Sequence, residues 1–152
     1  MTLTEILKLE CIKVPLQGKD KQDVIVELVD LLNANGLLLD RDVVLKSVLM
    51  REQTRSTGIG SGIAIPHGKC NAVRELAISI GITAEPIDFA GVDGKPVSII
   101  LLLVSPADQT GPYIQALARI SRLMLDERFR DALAQARRDE DAYELIKKKE
   151  KE

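Results

Sequence analysis

The sequence predicts an α/β fold, a single sandwich-like domain over residues 1–152 in which a mixed β-sheet is flanked by α-helices. Three observations carry this expectation. Segments with apolar residues at helical spacing alternate with segments of strand character. The run from Val97 to Val104 is apolar on both faces, as a central strand covered by helices on each side must be. The chain is 45% apolar and 29% charged, with no Trp, two Phe and two Tyr, so its core has to be aliphatic. At 152 residues one core can bury roughly two thirds of the unfolded surface, and no disulfide or metal is needed on size grounds.

The elements follow in order. Cys11 to Val14 reads as a short edge strand. From Asp20, an N-cap, Val24, Leu28, Leu31 and Leu32 recur at helical spacing until Asn35-Gly36 supplies a stop. Asp40 caps a second helix with Val44, Leu45, Val48 and Leu49 as its buried stripe and Arg51 and Arg55 at its end. After a glycine-rich stretch, Leu76, Ile78, Ile80 and Ile82 alternate with Ala77, Ser79, Gly81 and Thr83, a strand with one better-buried face. Glu85-Pro86 and Asp93-Gly94 carry turn chemistry. Thr110 opens a third helix with Ile114, Leu117, Ala118 and Met124 on one side, Asp126 restarts the chain into Phe129 and Leu133, and Asp139 caps a last short helix. Residues 147–152, rich in lysine and without an apolar partner, read as a frayed tail.

Composition also excludes partners. The formal charge of −2 arises from 21 basic and 23 acidic residues spread along the chain, which provides no extended positive field for nucleic acid. The longest apolar run, Ile99 to Val104, is far shorter than the roughly 20 residues of a membrane span, so no direct membrane insertion is expected. The N-terminus lacks the layout of a secretory signal, and Cys11 and Cys70 read as free thiols of a reducing cytoplasm.

Residues 56–69 concentrate the unusual chemistry: Ser56-Thr57-Gly58-Ile59-Gly60-Ser61-Gly62-Ile63-Ala64-Ile65-Pro66-His67-Gly68-Lys69 holds four of ten glycines and the only histidine. Glycines let a backbone approach another group closely, and Ser56 and Thr57 can donate to phosphate oxygens, so the loop suits an oxyanion. It lacks the third-glycine spacing of a dinucleotide fingerprint and the Gly-Lys-Ser/Thr ending of a P-loop, which leaves turn chemistry as an equal explanation. A neutral imidazole at His67 is a competent nucleophile, because one nitrogen can attack phosphorus while the other holds a hydrogen bond that fixes the tautomer. Arg51, or in second place Arg55, offers a planar fork to phosphoryl oxygens, and Lys69 a further charge. Contact with a helix C-terminus is the lesser alternative for the arginines, whereas a satisfied turn histidine explains His67 equally well. One His and two Cys are too few for zinc, and neither a metal nor a cofactor is expected. A general base oriented by Glu85 or Asp88 stays open.

The combination Arg51-Glu52, Ser56 to Gly60 and Gly62 to Lys69 closely resembles the enzyme IIA domain of the fructose, mannitol and nitrogen-regulatory branch of the bacterial phosphotransferase system. The resemblance runs on through Pro96-Val97, and Pro106-Ala107-Asp108-Gln109-Thr110 looks most like the nitrogen-regulatory subgroup. It implies a phosphohistidine at His67, received from a histidine-containing phosphocarrier protein, with Arg51 neutralising charge and Ser56, Thr57, Gly58, Gly60, Gly62 and Lys69 shaping a phosphate pocket. Tyr113 stands where the family usually has a second histidine. A phenol can still hydrogen-bond a phosphoryl oxygen but cannot become cationic as imidazole does. The expected function is thus that of a cytoplasmic phosphotransferase component, with enzyme IIB or a regulatory target as its further partner. The alternatives are a phosphorylation-dependent binding module without onward transfer and an unphosphorylated scaffold.

Overall fold

The computed structural model describes residues 2–54, 56–91 and 93–152. Along the chain the elements are α1 (Leu3–Ile6), β1 (Leu7–Leu16), α2 (Lys21–Ala34), α3 (Arg41–Thr54), β2 (Gly58–Gly60), β3 (Ile63–Ala64), β4 (His67–Lys69), β5 (Ala77–Ile87), β6 (Val97–Ser105), α4 (Thr110–Leu123), α5 (Glu127–Ala134) and α6 (Asp139–Glu150). The strands form one mixed sheet in the order β1-β5-β6-β3-β2, with β4 also pairing β6. β5 runs antiparallel to β6, whereas β1 is parallel to β5, and β3 and β4 are parallel to β6.

The doubly apolar sequence of β6 places it centrally, and its two faces feed separate cores. Ile99, Leu101 and Leu103 pack with Ile78, Ile80 and Ile82 under α1, α4, α5 and α6. Ile100, Leu102 and Val104 pack under α2 and α3 with Val24, Ile25, Leu28, Val44 and Val48. The result is the expected α/β sandwich of helices on both faces of a mixed sheet. None of its helices, among the described residues, is long and apolar enough to cross a membrane.

Side-chain caps begin three of these helices. Asp20 accepts from the Asp23 amide at 2.8 Å, Asp40 from those of Asp42 and Val43, and Asp126 from those of Arg128 and Phe129. Gly36 ends α2 in the left-handed region, at φ 73.

Several expectations are corrected. The strand expected at Cys11 to Val14 is an edge strand but runs from Leu7 to Leu16. Both faces of β5 are buried from Ala77 to Thr83, because the small side chains Ala77, Ser79 and Gly81 let a second layer approach closely: Ser79 Oγ donates to the Leu28 carbonyl of α2 at 3.1 Å. Glu85-Pro86 is not a turn but lies within β5, where the register against β6 breaks between Ile82 and Ile87 and a proline costs no ladder bond. On α4 the buried stripe is Tyr113, Ala116, Ile120 and Leu123, and Ile114 is 58% exposed. The small Ala116 suits the contact with the sheet better than the bulkier neighbours that hydropathy alone selects. Asp139 is the first residue of α6 and not its cap, and its carboxylate accepts the amide of Val14 on the edge strand at 2.8 Å. The expected frayed tail is helical through Glu150, whose carboxylate accepts the amides of Leu3 and Thr4 at 2.6 and 3.0 Å.

Candidate functional site

The site begins with a tight hairpin. Ser61 and Gly62 join β2 to β3 at φ 58 and 78, both positive, as a two-residue turn of the primed type requires. The chain then passes Pro66 and lays β4 along the end of β6, pairing His67 with Leu103. Gly68 is a glycine for a packing reason, since a Cβ there would stand 3.1 Å from Ser47 Oγ and 3.4 Å from Val48 Cγ2. Strand β4 can therefore lie close against α3. Arg51 follows Ser47 by one helical turn on the same face of α3, which points it toward the histidine.

His67 is half-buried, and its Nδ1 lies 2.7 Å from the carbonyl oxygen of Ile65. A carbonyl can only accept, so Nδ1 carries the proton and Nε2 of the neutral ring carries the free electron pair. Burial holds the imidazole pKa below its ordinary value of 6.5. The bond to Ile65 pushes the other way, the Arg51 charge reinforces the depression, and the Glu52 carboxylate opposes it. The ring is thus neutral at physiological pH with a lone pair on Nε2, the state a nucleophile needs.

Tyr113, in the first turn of α4, faces this ring with the centroids 6.0 Å apart and the planes inclined at 57°. Burial pushes its phenol up to about 12, against a smaller opposing effect of Arg51, so it is a neutral hydroxyl. Lys69 completes the group: its Nζ lies 5.5 Å from the centre of the Tyr113 ring and 3.4 Å from Thr110 Oγ1. The structure therefore gathers His67, Arg51, Tyr113 and Lys69 from β4, α3 and α4. Arg55 lies outside the described residues.

The hydroxyls of the glycine-rich segment do something other than face an open pocket. Ser56 Oγ donates to the Phe89 carbonyl at 2.6 Å and accepts from the Gly58 amide at 3.1 Å. Thr57, only 4% exposed, donates its hydroxyl to Glu52 Oε2 at 2.6 Å and its amide to Glu52 Oε1 at 3.0 Å. Both hydroxyl protons are spent on holding the hairpin. Gly58 meets the backbone of Gly91 so closely that a Cβ would fall 2.9 Å from its Cα. Gly60 and Gly62 serve the turn through positive φ values of 93 and 78.

Glu52 received no role from sequence. A signal for it was present, because Val44, Val48 and Glu52 fall at intervals of four and the carboxylate continues the buried stripe of α3. Lys21, whose Nζ stands 2.7 Å from Glu52 Oε1, gave no such signal, since only the fold brings the start of α2 to the end of α3.

Comparison with known proteins gives the family and the fold. The family described as phosphoenolpyruvate-dependent sugar phosphotransferase system, EIIA 2, matches residues 5–149. A nitrogen regulatory protein of Klebsiella oxytoca is 34% identical over 147 residues, which cover 96% of this chain and 90% of that protein. The fructose-specific EIIABC component of Bacillus subtilis (strain 168) is also 34% identical, over 99% of this chain, which spans only 24% of that longer protein. The crystal structure of nitrogen regulatory protein IIA-Ntr from Neisseria meningitidis superposes with a TM-score of 0.87 at 30% identity, covering 95% of this chain and 98% of the other. The chain belongs to the phosphoenolpyruvate-dependent sugar phosphotransferase system EIIA 2 family.

Proposed function

We propose that the protein is a cytoplasmic phosphocarrier that accepts a phosphoryl group on Nε2 of His67 from a phosphohistidine of a histidine-containing phosphocarrier protein. The observation that carries this reading is the Nδ1 contact with Ile65, which leaves Nε2 as a free nucleophile in a ring kept neutral by burial and by Arg51. In the transfer the Nε2 lone pair forms the new N–P bond as the donor's N–P bond breaks. The departing electron pair stays on the donor nitrogen, and the proton on His67 Nδ1 stays on that nitrogen, donated to the Ile65 carbonyl. Arg51 supplies charge to the phosphoryl oxygens in the transition state and in the phosphohistidine, with Lys69 as a second cation at the edge of the site. Glycines 58, 60 and 62 shape the wall of the pocket.

Incubation of the full chain with phosphoenolpyruvate, enzyme I and the phosphocarrier protein should add one acid-labile phosphoryl group by intact mass, absent in His67→Ala. An unlabelled native chain sinks the proposal. Tyr113 favours a second reading, a phosphorylation-dependent regulatory module that keeps its phosphate, because a neutral phenol replaces an imidazole that could turn cationic beside the leaving phosphoryl group. A chase with a purified enzyme IIB separates the two: loss of label marks a carrier, and retention marks a regulator.

A further inference from the structure

Beneath the hairpin, three segments distant in sequence meet at one ammonium group. Lys21, the first residue of α2, places Nζ 2.7 Å from Glu52 Oε1 at the end of α3 and 3.3 Å from the carbonyl of Phe89, and the same nitrogen lies 5.3 Å from the centre of the Phe89 ring. Each contact leads on to the hairpin. Glu52, 5% exposed, holds Thr57 by two hydrogen bonds, and the Phe89 carbonyl that Lys21 touches also accepts Ser56 Oγ. Gly58 and Gly91 seal the junction backbone to backbone.

A buried carboxylate is an economical clamp, since one group satisfies both the amide and the hydroxyl of Thr57. Here it carries a liability, because Glu52 is close enough to His67 for its charge to be felt at the imidazole, and a negative charge there opposes an incoming phosphoryl group. We propose that Lys21 and Glu52 are a pair of positioning residues for His67, in which Glu52 pins the Thr57 end of the hairpin and Lys21 completes that clamp while cancelling the charge that would repel the phosphoryl group. The inference rests on phosphoryl acceptance at His67. Among the described residues, Arg51 of α3, Lys69 of β4 and Tyr113 of α4 are the further charged or titratable groups on that side of the ring. The pair also borders a cavity of about 490 Å³ lined in part by Asp20, Gln22, Leu49 and Gln53, so a shortened side chain at position 21 admits water rather than leaving a sealed void.

The test compares the full-length native chain with Lys21→Met, Glu52→Gln and the double variant. It reads the rate of phosphoryl acceptance from the phosphocarrier protein and the pKa of His67 by NMR titration without donor. Lys21→Met should slow acceptance about tenfold, the size of effect that coupled charges in contact produce. The double variant should recover part of that loss, because the uncompensated carboxylate has gone. The His67 pKa should rise in Lys21→Met and fall in Glu52→Gln. A pair that merely stabilised the fold would loosen the hairpin in both, move both values toward the ordinary imidazole pKa and leave the double variant the slowest. That outcome, or a Lys21→Met variant as fast as the native chain, overturns the proposal. Should Glu52→Gln fail to fold, Thr57→Val replaces it: acceptance should slow with the His67 pKa unchanged, and a normal rate overturns the clamp. A native chain that takes no label overturns the acceptance reading itself, whereas a labelled native chain with an unaffected Lys21→Met variant overturns this inference alone.

Discussion

His67 is held neutral chiefly by burial, and that has a consequence for stability as well as for chemistry. Its folded-state pKa lies below the value of about 6.5 it regains on unfolding, so between these two values the unfolded chain binds a proton that the folded chain refuses. The sign follows directly. Above the unfolded pKa the residue contributes no pH dependence; as pH falls below it the native state loses stability, and the loss levels off once pH passes the folded pKa. Replacing His67 by Gln removes this titration and leaves every other group in place. The native chain should therefore lose stability relative to His67→Gln as pH falls below 6.5, measured as the difference between their urea unfolding free energies across a pH series. A difference that stays flat, or that grows in the native chain's favour toward acid, would show that the imidazole is not desolvated in the folded state.

At the scale of elements, what the sequence revealed and what it hid divide along the distance over which information travels. Asp20, Asp40 and Asp126 were legible as helix starts because a cap is a contract between residues two or three apart. The run 97–104 was legible as a covered strand because both faces are written in one short segment. The buried side of α4 was not, since Ile114 is more hydrophobic than Ala116 and only the sheet beneath decides that the smaller residue goes inside. The site divides in the same way. The motif around His67 singled out that histidine and Arg51, which the fold brings near each other, but Lys21 lies 31 positions before Glu52 and Phe89 lies 68 positions from Lys21, so their junction is visible only in three dimensions. Ser56 and Thr57 were read as phosphate ligands because hydroxyls beside glycines suit anions. The competing acceptors, Glu52 and the Phe89 carbonyl, belong to other elements. The junction of β2 with the 88–91 segment gives an element-level prediction. Gly58→Ala forces its new methyl against the Gly91 backbone, a neighbour that cannot rotate away, so it should cost about 1–3 kcal/mol and slow phosphoryl acceptance while the chain stays folded. Gly111→Ala, in the first turn of α4 with open space around it, is the control and should gain up to about 1 kcal/mol by chemical denaturation. Equal stability of Gly58→Ala and the native chain would mean that the two backbones do not meet.

At the scale of the whole molecule, the ends of the chain are joined on the face of the sheet that carries α4. Glu150, in the last turn of α6, turns its carboxylate to the amides of Leu3 and Thr4, the first residues of the short helix that leads into the edge strand β1. Arg119 of α4 stands 4.0 Å from the same carboxylate, which is only 3% exposed. Two arguments about this residue give opposite signs. Considered as a helix residue, a carboxylate at the C-terminal end of α6 opposes the macrodipole, and its removal should stabilise by a few tenths of a kcal/mol. Considered as the partner of two amides that have no intrahelical acceptor, its removal strands both N–H groups and the Arg119 charge, at a cost of about 1–3 kcal/mol. The second effect is larger because the carboxylate is nearly shielded from water, where a hydrogen bond lost is not replaced by solvent. Glu150→Ala should therefore lower the urea midpoint without changing its slope, and Glu150→Gln, which keeps one acceptor oxygen, should fall between it and the native chain. If Glu150→Ala proves more stable than the native chain, the macrodipole outweighs the tether, and only the apolar packing of Leu3 in the core shared with Ile146 joins the two helices.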